Sequence, residues 1–449
     1  MLKQSDLTSD QNSAIDRLFE HDETLMVANM GAGKTVIALS AINDLIAEGV
    51  LTRVLVVAPV NVCKTVWAQE AAKWSHLNGL SVVDASGSSA KARTAALDMG
   101  AQVTCINFEN LAWLFREYKA RNFDGLIIDE LTKLKNTGGA QFKAIRPRLG
   151  DFKWRLGMTG TPVSENWEGL FGQLLVVDGG KRLGTRKDGY LRQYFYPTDY
   201  KEYNWALYDW AAESIAFKIR DVVYTVPDYR HLLPDLIDTT TVLPMPAELL
   251  DIYTELKKSM VVGMPDGGFL TADTAAVLSG KLMQCANGFL YGPVGDDGKR
   301  GAPSYLSSYK IDECARVVDG HLDTGGAVII AYWFDADRQR LNALYPNCEL
   351  STDNIARWNA GKMDVLLIHP KSAGHGLNLA AGGHAMVWLG PVWSRDVREQ
   401  TIARIWRRGQ TNTVTVTTIT AADSIDGLMM ERVEGKKGFE VLFKQHLGG

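Results

Sequence analysis

Two kinds of hydrophobic run alternate along the chain, and their order predicts its architecture. Thr24–Ala28, Arg53–Ala58, Val103–Asn107 and Gly125–Asp129 are short, β-branched and almost wholly apolar, as strands buried on both faces of a parallel sheet must be. Between them, Thr35–Glu48 and Thr65–Trp74 carry apolar residues at helical spacing. Strands alternating with helices imply a parallel α/β sheet covered on both sides. The pattern returns toward the C-terminus: Ala327–Tyr332, Val365–His369, Ala385–Leu389 and Val414–Ile419 read as strands, Asp335–Leu344 and Asp396–Arg407 as helices. Residues 179–308 differ, being rich in Tyr, Trp, Leu, Lys and Glu with few sustained β runs. Helices are predicted around Tyr203–Ile219 and Ala247–Met260, and a linker at Gly292–Tyr305, GPVGDDGKRGAPSY. The expectation is an α/β protein: a first lobe over 1–178, a mainly helical insertion and linker over 179–308, and a second lobe over 309–449.

Composition narrows the function classes. A chain of 449 residues accommodates that inventory and little else. Its 46% hydrophobic and 22% charged residues exclude disorder, collagen and coiled coil. Lys plus Arg number 48 against 52 Asp plus Glu, a net charge of −4, so any polyanion site must be a local patch. The five cysteines form no CxxC pair, which argues against a disulfide framework or structural zinc and points to a reducing compartment. The N-terminus has no apolar signal-peptide core, and apolar stretches such as Gly326–Phe334 are too short to span a bilayer. A cytoplasmic location is expected.

Three segments carry chemistry. ANMGAGKT, Ala28–Thr35, fits a phosphate loop between a strand and a helix. Gly31 and Gly33 would let backbone N–H groups close on phosphate oxygens, Lys34 would neutralise them, and the Thr35 hydroxyl could ligate magnesium. LIIDE, Leu126–Glu130, is a buried strand ending in two carboxylates. Asp129 is placed to hold a magnesium shell and Glu130 to orient or deprotonate a water; a solvated strand end is the bland alternative. In EQTIARIWRRGQ, Glu399–Gln410, Arg404 and Arg407 share one helix face, either as guanidiniums for a nucleotide or as a solvated basic surface.

Together these segments resemble the Swi/Snf family of helicase-like DNA translocases in superfamily two, and the resemblance covers nearly the whole chain. Gln11 matches the family's adenine-reading glutamine, and VVAPVNVCKTVWAQEAAKW (Val56–Trp74), INFENL (Ile106–Leu111) and DELTKLKN (Asp129–Asn136) match successive motifs. GMTGTPVSEN (Gly157–Asn166) carries the coupling residues Thr159, Gly160 and Thr161. SAGHGLNL (Ser372–Leu379) matches the fifth motif, and Gln400, Arg404, Arg407, Gly409 and Gln410 match the sixth. Lys218–Met245 and KLMQCANGF (Lys281–Phe289) are similar to stretches that set this branch apart from plain RNA helicases. Three features depart from the family: Leu131-Thr132 replaces Ala-His, Ser394-Arg395 replaces Asn-Pro, and the segment between the strands Ala327–Tyr332 and Val365–His369 is short. HPKSAGHGLNL, His369–Leu379, is especially similar to compact bacteriophage and prophage versions.

The resemblance implies two RecA-like lobes with ATP and Mg²⁺ between them. Gln11, Gly31, Gly33, Lys34, Thr35 and Gln400 would bind nucleotide; Thr35 and Asp129 would hold the metal; Lys34, Asp129, Glu130, Arg404 and Arg407 would be catalytic. Duplex or branched DNA would be gripped through its phosphates, with Lys64, Thr65, Asn107, Lys371, Ser372, His375 and Trp393 as candidate contacts. The leading expectation is a DNA-stimulated ATPase that translocates on DNA. A strand-separating DNA or RNA helicase and a nucleotide-gated regulator without processive motion are the alternatives. A monomer is expected, with replication, recombination or repair proteins of phage or host as possible partners. The basic-aromatic run Lys181–Tyr196 reads as a nucleic-acid grip or, alternatively, a solvated helical face. His369, His375 and His384 match no tetrahedral zinc spacing.

Overall fold

The computed structural model describes residues 1–119, 122–163, 167–259, 261–263, 269–271, 275–293, 301–371 and 377–435. It contains two compact units, Met1–Tyr229 and Arg230–Gly435. The stretch 179–308 is therefore divided, its first part folding with the first unit and the rest with the second.

In the first unit, β1 (Glu23–Val27), β2 (Val54–Ala58), β3 (Val82–Asp84), β4 (Val103–Asn107), β5 (Gly125–Asp129), β6 (Trp154–Thr159) and β9 (Val223–Thr225) form one sheet. Its order is β3-β4-β2-β5-β6-β1-β9, and every pairing is parallel. β2 and β4 are buried at every position, which is why they read as unbroken apolar runs. The predicted helix Thr35–Glu48 is found at Lys34–Ala47, whereas Thr65–Trp74 is met by two short helices, Val60–Thr65 and Trp67–Lys73. Gly157 in β6 lies so close to its cover that a Cβ there would sit 2.5 Å from Leu131 Cδ2 and 2.8 Å from Val177 Cγ2. That glycine lets the turn after β5 and the helix Glu168–Asp178 press onto the sheet.

The expected helix Tyr203–Ile219 is corrected. Its first part is β8 (Trp205–Leu207), antiparallel to β7 (Phe195–Pro197), and only Ala211–Ile219 is helical. Asp199 makes the hairpin by accepting the N–H groups of Tyr203 and Asn204, each at 2.9 Å, an Asx-type turn that competes with helix.

The second unit holds two small antiparallel pairs, β11 (Val261–Gly263) with β12 (Phe269–Thr271) and β13 (Phe289–Tyr291) with β14 (Pro303–Tyr305). It is built on a five-stranded, all-parallel sheet. That sheet comprises β10 (Leu236–Leu243), β15 (Val328–Ala331), β16 (Val365–Ile368), β17 (Ala385–Trp388) and β18 (Val414–Ala421), in the order β10-β18-β17-β15-β16. Two parallel α/β sheets thus meet the expected fold class. Among the elements that went unanticipated are β3, β6, β9, the helices Glu168–Asp178 and Thr352–Asn359, and β10, an edge strand with mostly exposed side chains. The helix Ala247–Ser259 agrees with expectation. Of the expected linker Gly292–Tyr305, residues 294–300 lie outside the described residues, and its last three residues form β14. Among the described residues, no helix is long and apolar enough to cross a membrane.

Candidate functional site

The phosphate loop leaves β1 and enters the helix Lys34–Ala47 at the carboxyl edge of the first sheet, where parallel α/β folds place ligands. Gly31 and Gly33 have φ of +82° and +87°, a left-handed backbone that L side chains resist. At Gly33 a Cβ would also fall 2.3 Å from Gln11 Nε2. The left-handed backbone calls for glycine at both positions, and the resulting turn presents a helix N-terminus suited to an anion.

The carbonyls of this loop accept side-chain donors. Lys34 Nζ donates to Ala28 O at 2.8 Å and to Asn29 O at 3.3 Å. Tyr229 donates its hydroxyl to Met30 O, and Gln11 Nε2 donates to Ala32 O at 3.0 Å. Gln11 Oε1 in turn accepts the Thr8 N–H at 3.0 Å, while Thr8 Oγ1 accepts the Gln11 N–H at 3.3 Å. This reciprocal cap starts the helix Ser9–Glu20, so Gln11 caps its own helix and props the loop. Tyr229 is buried at the last residue of the first unit.

The acidic pair stands two strands away in the same sheet. Asp129 ends β5; Glu130 then turns left-handed, with φ +71° and ψ +60°. Burial pushes the Asp129 carboxyl up to about 6, against the pull of the Lys34 ammonium and with a further push from Glu130. The Trp67 indole N–H, 3.3 Å from Asp129 Oδ2, opposes that rise. Glu130 Oε1 accepts the Thr132 hydroxyl at 2.9 Å. β6 lies between β5 and β1 and ends in Thr159, whose carbonyl accepts the Ala28 N–H at 3.0 Å. Thr159 Oγ1 accepts the Thr161 N–H at 3.2 Å. Lys34, Thr35, Asp129, Glu130, Thr159, Gly160 and Thr161 therefore gather at the carboxyl ends of β1, β5 and β6. Anion-binding N–H groups, an ammonium, a hydroxyl and carboxylates make a cradle for a polyphosphate and a hard, oxygen-seeking cation.

The sequence model of the SNF2-related domain matches residues 11–285. The chain belongs to the SNF2-related family. Protein p41 of Acyrthosiphon pisum secondary endosymbiont phage 1 is 30% identical, over 96% of this chain and 96% of its own length. Chromatin remodeling factor mit1 of Schizosaccharomyces pombe is 22% identical over 96% of this chain, which spans only 32% of that protein. Among solved structures, the Sulfolobus solfataricus SWI2/SNF2 ATPase core in complex with dsDNA aligns over 97% of this chain and 92% of its own, with 18% identity and a TM-score of 0.45. The resemblance to compact phage versions thus has a phage-encoded relative behind it.

In the second unit of this SNF2-related chain, Arg404 and Arg407 converge on one acceptor. Their Nη1 atoms donate to Leu377 O at 3.4 and 3.1 Å. Gln400 lies on the helix Arg395–Ile402, which Ser394 caps by accepting the Val397 N–H at 3.4 Å. The Ser394-Arg395 departure therefore provides a helix start.

The candidate nucleic-acid contacts scatter. Lys64, Thr65 and Lys371 are exposed. Asn107 is buried, its amide donating to Glu109 Oε2 and its oxygen accepting from Asn110. Trp393 donates to Met283 Sδ at 3.1 Å and packs against the second unit's core. Ser372 and His375 lie outside the described residues. In the basic run, Lys181 pairs with Glu23, Arg182 with Asp178 and Asp221, Lys187 with Glu168, and Arg192 with Asp188 and Glu202. Those cations are neutralised on the first unit's own surface, favouring the solvated face over the grip.

Sequence reasoning assigns no role to three side chains that touch the site. Trp67 is visible inside its motif, Thr132 stands out as a departure, and Tyr229 gives no signal, being separated from Met30 by most of the first unit.

Proposed function

We propose that this chain is an ATP-dependent DNA translocase of the Swi/Snf type, hydrolysing ATP to move along double-stranded or branched DNA. The observation that carries the reading is the joint placement of the phosphate loop, the Asp129–Glu130 pair and the Thr159–Thr161 turn on adjoining strand ends, in a chain of the SNF2-related family. In this reading the loop's N–H groups and Lys34 bind the phosphates of ATP. The second N–H and lone pair of the Gln11 carboxamide meet the adenine edge. Thr35 and Asp129 would hold Mg²⁺, which supplies neutralisation of phosphate charge. Trp67 fixes the Asp129 carboxylate, and Glu130 orients the attacking water and takes its proton. Arg404, Arg407 and Gln400 are the second unit's contribution; their roles rest on the sequence motif. Because the two arginines share the Leu377 carbonyl, they present as a pair. Lys64, Thr65 and Lys371 contact DNA phosphates, a sequence-independent grip that salt weakens.

The test is the ATPase rate with single-stranded, duplex, forked and four-way-junction DNA and with RNA, followed by triplex displacement on duplex. Stimulation by duplex or branched DNA with triplex displacement is the expected result. Stimulation by RNA alone overturns the DNA assignment, and DNA stimulation without displacement moves the chain to a nucleotide-gated binder.

A further inference from the structure

The acidic turn contains a contact that the phosphate-loop reading does not need and the family pattern does not supply. Glu130 is the residue after the strand, and its left-handed backbone breaks the alternation of β5 and re-aims its side chain. The chain then makes a short turn, Leu131–Leu134, in which Leu131 and Leu134 are both fully buried. Leu131 is wedged against Gly157, and the Lys133 N–H closes the turn on the Glu130 carbonyl at 3.0 Å. The backbone carrying Thr132 is thus fixed by packing on both sides. From there its hydroxyl reaches back two residues and donates to Glu130 Oε1 at 2.9 Å. Among the described residues, Glu130 Oε2 accepts no hydrogen bond.

We propose that Thr132 is the positioning residue of Glu130. Its hydroxyl holds one carboxylate oxygen so that the other faces the water that attacks ATP. The inference rests on the reading of Glu130 as the group that orients and deprotonates that water. A β-branched side chain suits the task, because its restricted χ1 keeps the hydroxyl aimed with little entropy to lose. Orientation here comes from inside the acidic turn, two residues from the base, and needs no side chain from the Thr159–Thr161 motif. The Leu131-Thr132 departure then has a role of its own: Leu131 anchors the turn and Thr132 aims the carboxylate.

The experiment measures steady-state ATP hydrolysis by the full chain, saturated with duplex DNA, for T132V, T132S, T132A, E130Q and T132V/E130Q, with ATP binding measured separately. Thr132→Val keeps the shape and removes the donor. It is expected to lower kcat on the order of tenfold to a hundredfold, as loss of a hydrogen bond to a charged group does. KM, ATP affinity and melting temperature are expected to stay within about twofold or a degree or two of wild type. Thr132→Ser should restore most of the rate, and Thr132→Val should add nothing in the Glu130→Gln background. If Glu130→Gln abolishes hydrolysis while Thr132→Val turns over like wild type, the positioning role is overturned and the base stands. The positioning role is equally overturned if Thr132→Val raises KM and leaves kcat alone. If Glu130→Gln itself retains the wild-type rate, the reading of the acidic pair falls first.

Discussion

The two units each contain a cluster of lysine, carboxylate and amide, and they use the same chemistry for opposite ends. At the edge of the first sheet, Lys34 rests on two backbone carbonyls, Asp129 is held out of its ordinary range by burial, and Glu130 sits on a left-handed backbone. In the interior of the second unit, Lys310 is 1% exposed and donates to Asn287 Oδ1 at 2.9 Å and Asp426 Oδ2 at 2.5 Å. Asn287 Nδ2 donates to Asp337 Oδ2 at 2.9 Å, whose other oxygen accepts Arg340 Nη2 at 2.6 Å. Asp426 Oδ2 also accepts the Ala421 N–H at 2.9 Å. The second cluster is enclosed, its ammonium, amide and carboxylates paired with one another, with Arg340 Nε the one nitrogen of the group left without a partner among the described residues; the first is partly open and strained. A polar cluster that satisfies itself ties elements together, whereas one left incomplete has bonding capacity for a ligand.

The same substitution at the two lysines separates these roles most sharply. Lys34→Ala is expected to lower ATP hydrolysis on the order of a thousandfold, with little change in melting temperature, because the ammonium is only half-buried and the groups it donates to are neutral carbonyls. A variant that hydrolyses ATP at the wild-type rate would remove Lys34 from the site. Lys310→Ala should do the reverse. Removing one partner of a buried pair leaves Asp426 uncompensated, at a cost of about 3–5 kcal/mol, and denaturant unfolding should lose the second unit first. ATP binding to the first unit should persist. An unchanged stability would mean that the interior network contributes no net binding between its elements.

The two clusters also differ in how far the sequence reveals them. The phosphate loop is legible because its function needs contiguous residues: Gly31, Gly33, Lys34 and Thr35 must be neighbours to form one turn. The carboxylates at the end of β5 are legible for the same reason, as are strands buried on both faces. The interior network is not, because Asn287, Lys310, Asp426 and the Asp337–Arg340 pair of the helix Asp335–Leu344 lie far apart in sequence and meet only through tertiary packing. β10 escapes prediction because an edge strand with exposed side chains carries no apolar run. Trp205–Leu207 reads as helix because the Asp199 turn that makes it a hairpin is a side-chain-to-backbone bond, invisible to periodicity.

A carboxyl that is raised in the folded state costs stability at neutral pH, and this sharpens the contrast. Asp129 sits near 6 when folded and at the ordinary 3.8 when unfolded. Between those values the folded chain binds more protons than the unfolded one, so stability falls as pH rises from 3.8 through 6. Asp129→Asn should therefore stabilise the chain at pH 7.5, by at most about 3 kcal/mol, in chelator and without magnesium. The gain should shrink below pH 6 and vanish below 3.8, while hydrolysis is lost. A destabilised Asp129→Asn chain at pH 7.5 would mean that the Trp67 and Lys34 contacts outweigh burial.

The smallest expected effect tests the comparison on a matched pair of tyrosines. Tyr229 donates its hydroxyl to the Met30 carbonyl in the phosphate loop, and Tyr253 accepts the Ile425 N–H at 2.8 Å in the second unit's core. Both rings are buried, and phenylalanine keeps each ring while deleting one hydrogen bond, a change of about 1 kcal/mol. If the loop is shaped for a ligand, the loss at Tyr229 should appear in binding. Tyr229→Phe frees Met30 to leave the arrangement that glycines 31 and 33 create, and ATP affinity should weaken about fivefold with little change in melting. Tyr253→Phe leaves a buried N–H without its acceptor, so it should lower the melting temperature by a few degrees and leave ATP affinity untouched. The measurement is ATP titration beside thermal unfolding for both variants. Should Tyr229→Phe shift only the melting, the Met30 bond would belong with the closed network. The loop's readiness for phosphate would then rest on Gln11, Lys34 and the glycines alone.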